Sequence, residues 1–233
     1  MVKCDDFKFE RSKKMIKNLI AGSILLAATS LFALSEGKEY FKLSDADALP
    51  NAQGTVIELF SYMCIHCYNQ YRANTVQTLS ELLPDYKIEE WQVREMGKYG
   101  GLLAKILVYA ASLDRVEGYA ASSPKSYSHK IVGSYFEAHF KYRMRWASDE
   151  EFAKIALNII NEKRAKKATL SDIEAFVKED GKAALNRVHH AINVAKKSGT
   201  PAFVVNGKYL VNVEEVDDQE ELLSIVKELT QMK

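Results

Sequence analysis

A chain of 233 residues, 47% hydrophobic and 27% charged, has the length for one sizeable domain, or one domain with an insertion, and can bury a real core. Eleven glycines and four prolines exclude a collagen-like or disordered chain, and a formal net charge of +1 points to neither nucleic acid nor an acidic partner. The chain is poor in cysteine, with Cys4, Cys64 and Cys67 alone.

Lys13, Lys14 and Lys17 precede a diluted apolar stretch, Leu19 to Leu34, and Met15 offers an alternative start. A membrane-spanning helix needs about 20 predominantly apolar residues, more than this stretch supplies. Residues 1–35 therefore read as a secretory signal cleaved after Ser35, with an uncleaved anchor as the rival reading. No later stretch is long and apolar enough to span a bilayer. Cys4 leaves with the signal and has no lipid-attachment context. The mature chain then carries one close-spaced pair into a compartment where disulfides persist.

TVIELF, Thr55 to Phe60, is a β-branched apolar run that predicts a buried strand. After Ser61-Tyr62-Met63, the segment CIHCYNQYRANTVQTLSELLP predicts one helix ended by Pro84, with Tyr68, Tyr71, Val76, Leu79 and Leu83 as its apolar stripe. Cys64 falls on the first turn and Cys67 one turn deeper. A bridge closing four residues gains only about 2 kcal/mol from unfolded-chain entropy, so a staple is a weak reading. A structural zinc site needs four ligands; His129, His139, His189 and His190 are the candidates, but the last two sit in a polar helical pattern. A redox dithiol is favoured over both. At a helix N-terminus, free N–H groups and the dipole stabilise the reactive thiolate of Cys64. His66, beside that sulfur, is read as the tuning residue; the plainer alternative is a histidine that only fills the dipeptide.

From Met96 to about Arg187 the pattern is helical. GLLAKILVYAASLD, KIVGSYFEAHFKYRM, SDEEFAKIALNIINEKR and LSDIEAFVKEDG carry apolar residues at helical spacing. Ser148 and Ser171 are expected N-caps, the second with Glu174 as a capping box. Val116 to Lys130 is expected to be a loop near a substrate groove. Tyr135, Phe136, Phe140, Tyr142 and Trp146 read as one core-facing aromatic face rather than a nucleic-acid surface, despite Arg143 and Arg145. No internal repeat, Walker loop or dinucleotide fingerprint is present.

GTPAFVVNGKYLVN, residues 199 to 212, predicts a hairpin turning at Asn206-Gly207, with Thr200-Pro201 opening its first strand. DDQEELLSIVKELTQ then predicts a last helix. Strand, C-x-x-C helix, strand, hairpin and helix make a thioredoxin-like order.

With VIELFSYMCIHCYNQ, WQVREMG and SGTPAFVVNGKYLVN in place, the chain resembles the DsbA family of exported bacterial thiol oxidases from about residue 38 to the end. The resemblance implies an α/β, thioredoxin-like fold over 36–97 and 188–233, with an inserted all-helical domain over 98–187. It implies a redox-active Cys64–Cys67 disulfide of strongly oxidising character. Cys64 forms the mixed disulfide and Cys67 releases it. Thr200 pairs its backbone with an extended substrate, Pro201 lies against the disulfide in a cis bond, and Ile65, where proline is common, lines the substrate site. Glu58 matches a buried acid that relays the Cys67 proton. Tyr71 and Glu90 fall where many members carry an acid and a lysine, so the relay departs from the family pattern here.

The expected function is a periplasmic thiol:disulfide oxidoreductase that donates its disulfide to cysteine-containing exported proteins and is reoxidised by a quinone-linked membrane oxidase of DsbB type. No metal, nucleic acid or cofactor beyond the cysteine pair is implied, and the membrane enters only through the signal segment. The rivals are an isomerase or reductase kept reduced, and a thioredoxin-fold binding module with a static bridge.

Overall fold

A computed structural model describes residues 34–232. The signal reading, with Met15 and Cys4, lies outside them except for Leu34 and Ser35. Within them, five strands form one mixed sheet in the order β1 (Tyr40–Lys42), β5 (Tyr209–Val211), β4 (Ala202–Val205), β2 (Thr55–Phe60) and β3 (Lys87–Gln92). Every residue of β2 is buried, as the apolar run predicts for a central strand covered on both faces. It runs parallel to β3 and antiparallel to β4, which sets Glu58 between Glu90 and Phe203. The hairpin β4–β5 turns at Asn206 and Gly207, both with positive φ, 54° and 73°. That is the backbone which Asn-Gly adopts most readily.

Alternate residues of β2 serve two cores. Ile57 and Leu59, with Ala202 and Val204, pack against α3 (Gly100–Glu117), α7 (Lys182–His190) and α8 (Ile192–Ser198). Val56, with Phe203 and Val205, packs against α2 (Thr75–Leu82) and α9 (Gln219–Gln231). A third cluster joins the other side of α3 to α4 (Tyr127–Phe136), α5 (Asp149–Asn161) and α6 (Leu170–Lys178). At its centre Phe152 stacks on Tyr99 and Tyr135 at 4.6 and 4.4 Å. Truncating such a ring to alanine costs about 3–5 kcal/mol. The same cluster takes in Phe60, Tyr62 and Cys67, so the cysteine pair sits where the helical segment meets the sheet. This is a thioredoxin-like fold with helices inserted between β3 and β4.

Four local expectations are corrected. The predicted single helix after Met63 is two, α1 (Ile65–Arg72) and α2, broken at Asn74 with φ 55°. Its apolar stripe has two destinations: Tyr68 and Tyr71 face the helical cluster, whereas Val76, Leu79 and Leu83 face the sheet. A straight helix cannot serve both, and asparagine tolerates the left-handed turn between them. The capping box of α6 is Thr169 with Asp172 rather than Ser171 with Glu174. The helix begins two residues earlier than expected, and Leu170 packs on the helical cluster. Ser148 caps α5 as expected. The expected loop at 116–130 is shorter, since α3 runs to Glu117 and Ser126 already caps α4. Tyr142 leaves the aromatic face: α4 ends in a π-helical turn, Glu137–Lys141, which turns Tyr142 outward at 60% exposure. Among the described residues no helix is long and apolar enough to cross a membrane.

Candidate active site

β2 ends at Phe60, and after three intervening residues Cys64 caps α1 in extended conformation. Because the N-cap side chain faces the free N–H groups of the first turn, its sulfur accepts from the Cys67 N–H at 3.4 Å. The half-buried Cys64 also donates to the Thr200 carbonyl at 3.1 Å. Both cysteines are free thiols here. The Cys67 thiol, the Thr200 hydroxyl and the backbone N–H groups of Cys67 and His66 favour the Cys64 thiolate. Together they outweigh desolvation and lower its pKa to about 5. Cys67 is fully buried, and burial first, then its hydrogen bond to Cys64 and the Glu58 charge, push its pKa far up. One sulfur is acidic and reachable; the other keeps its proton.

Glu58 lies under this pair, 4% exposed in the central strand. Burial, then the charges of Glu90 and Cys64, raise its pKa well above the carboxylate range. Glu58 is therefore a core residue and not an acid at a strand edge facing water. The Thr200-Pro201 bond is cis, and the Thr200 hydroxyl reaches Met96 Sδ at 3.6 Å. Ile65 and Met63 flank Cys64 at 47% and 45% exposure. The His66 imidazole is exposed and makes no hydrogen bond to either cysteine among the described residues. In this arrangement its backbone N–H, not its ring, acts on Cys64.

Sequence reasoning passed over the groups that hold this corner together. Gln92, last in β3, accepts from the Tyr62 N–H at 2.9 Å and donates to the Met96 carbonyl at 3.1 Å. Ser61 donates to the same carbonyl at 3.3 Å. The segment WQVREMG held the signal, since it belongs to the resemblance, but no periodicity singles out Gln92. The histidines weighed as zinc ligands serve elsewhere. His139 sits edge-on to Tyr62 at 5.8 Å, and His129 meets Glu90.

No protein-family model matches the chain. Thiol:disulfide interchange protein DsbL of Escherichia coli O6:H1 is 26% identical over 219 residues, covering 92% of this chain and 95% of that one. Thiol:disulfide interchange protein DsbA of Haemophilus influenzae is 28% identical over 206 residues, 87% and 89% of the two chains. The crystal structure of DsbL from Salmonella enterica serovar Typhimurium superposes with a TM-score of 0.75 at 28% identity, over 86% of this chain and 99% of that one. Likeness runs along most of this chain and of its partner in each comparison. The chain is therefore similar to the DsbL and DsbA proteins over most of its length and is a thiol:disulfide oxidoreductase.

Proposed function

We infer that the chain works as a disulfide donor to exported proteins, in the periplasm. The observation that carries this direction is the depressed pKa of Cys64, about 5, beside a buried Cys67. A thiolate stabilised in the dithiol state makes the disulfide the higher-energy form, ready to be passed on.

A client thiolate attacks Cys64 Sγ of the disulfide, a client–Cys64 bond forms, and Cys67 leaves as a thiolate that takes a proton. A second client thiolate then attacks the client sulfur of that mixed disulfide and expels Cys64, a fast leaving group because of its low pKa. The client loses two electrons and the cysteine pair gains them. In this reading Glu58, raised in pKa and buried beneath Cys67, supplies the proton. The Thr200 backbone pairs with an extended client, Pro201 lies beside the reacting sulfurs, and Ile65 offers an apolar contact. His66 tunes the pair through its backbone N–H. The cysteines are the whole prosthetic group, and a quinone-linked membrane oxidase of DsbB type restores the disulfide.

The test is the redox equilibrium of residues 36–233 against glutathione buffers, read by thiol trapping. The pair is expected to stay a dithiol until the buffer is strongly oxidising. A disulfide that persists in reducing buffer would overturn the donor reading. Cys64→Ser is expected to abolish exchange, where a scaffold with a static bridge would keep its binding.

A further inference from the structure

Beneath the cysteines lies a buried polar cluster of which the thiol chemistry above uses only Glu58. Glu58 and Glu90 stand opposite each other on parallel strands, so both side chains leave the same face of the sheet. Two neighbouring carboxylates in a core resist carrying charge together. Glu90 is met by His129 of α4, whose Nδ1 lies 3.0 Å from Glu90 Oε2 with the two side chains 9% and 5% exposed. The other ring nitrogen meets the Gln77 side-chain amide of α2. An amide can turn either its NH2 or its carbonyl toward a ring, so Gln77 suits both charge states of His129.

The ring is held from every side. Tyr71 of α1 packs on it at 5.3 Å between centroids. Gly133, one turn along α4, makes room for the Tyr71 hydroxyl, where a Cβ would collide with it. Asp114 anchors the start of α4 by accepting from the Tyr127 N–H and the Ser128 hydroxyl, both at 2.6 Å. The titratable groups around Glu58 and Glu90 are Cys64, Cys67, Tyr71 and His129, with Glu137 beyond Tyr71. Among the described residues no lysine or arginine pairs with either carboxylate. His129 is the side chain there that can carry a positive charge to one of them.

We propose that His129, held against Glu90, is a positioning residue of the redox site that sets the charge beside Glu58 and thereby how readily Glu58 exchanges its proton with Cys67. As imidazolium it cancels the Glu90 charge, and Glu58 can release its proton to the departing Cys67 thiolate. As imidazole it leaves Glu90 to repel a Glu58 carboxylate and hold the proton in place. The helical segment thus contributes charge to a site whose sulfurs it does not supply. The link to Cys67 rests on the proton transfer inferred above.

The test follows the Glu58 carboxyl carbon of the reduced full chain by NMR against pH, with Glu58→Gln to identify its resonance. His129→Asn is expected to raise the Glu58 midpoint by about one to three pH units, and Glu90→Gln to lower it by a similar amount. The double variant is expected to fall between. A pair that only braces the fold would lower the melting temperature in both variants and move the midpoint the same way or not at all; that result overturns the proposal. The titration needs no client, so it stands apart from the donor reading. An unchanged oxidation rate in Glu58→Gln would instead sever the link to Cys67 and leave the titration to decide the charge relation alone.

Discussion

Cys64 and Cys67 share a side-chain chemistry, and position alone separates them. An N-cap sulfur faces unpaired N–H groups and solvent, whereas a sulfur one turn inward meets a packed core. Ultraviolet absorbance of the reduced protein is expected to show thiolate appearing with a midpoint near pH 5. Cys67→Ala removes the largest contribution to that shift and should move the midpoint upward; an unchanged midpoint would assign the shift to the helix end alone. The couple should also change its proton uptake at that pH. Below it the potential falls by about 59 mV per pH unit, and above it by about 30 mV, because one of two protons is no longer taken up. The C-x-x-C pair is legible in the sequence because its four residues are contiguous and their backbone geometry is local. The Glu90–His129 pair is 39 residues apart in the chain and has no such signature.

Helices and their caps show how local signals compete. The segment Ala168-Thr169-Leu170-Ser171-Asp172-Ile173-Glu174 holds two overlapping cap motifs, Thr169 to Asp172 and Ser171 to Glu174. Both satisfy the chemistry of a capping box, and packing of Leu170 on the helical cluster selects the first. Thr169→Ala is expected to cost about 1 kcal/mol in denaturant unfolding, and Ser171→Ala close to nothing. Equal losses would mean that the helix frays between two starts. The break at Asn74 has the same origin. Tyr68, Tyr71, Val76, Leu79 and Leu83 fit one helical stripe, and only the presence of two separate cores divides them.

In the whole molecule the redox state and the stability of the fold are linked. The Cys64 pKa is lower in the folded dithiol than in an unfolded chain, where a thiol titrates near 8.5. The folded thiolate therefore stabilises the reduced protein fully above about pH 8.5, and the effect fades as pH falls through about 5. The disulfide opposes this with little, since its loop is short. The reduced protein is expected to melt above the oxidised protein at pH 7, with the gap closing toward pH 5. Melting curves of the two forms across that range check the sign, and a gap that widens on acidification would contradict it.

The sequence by itself determined the central strand, the reactive pair at a strand–helix junction, the Asn-Gly hairpin and the helical run between β3 and β4. Each is written in contiguous residues through hydrophobic period, turn chemistry or a helix start. Tertiary structure decided what depends on residues distant in the chain: Thr200 against Cys64, Glu58 sealed beside Glu90, and His129 set on Glu90 from another segment. It also decided which of two cores each half of a helix would face. Contacts of this kind come from how the sheet orders its strands and how the helices fill its two faces, and no local pattern in the chain encodes them.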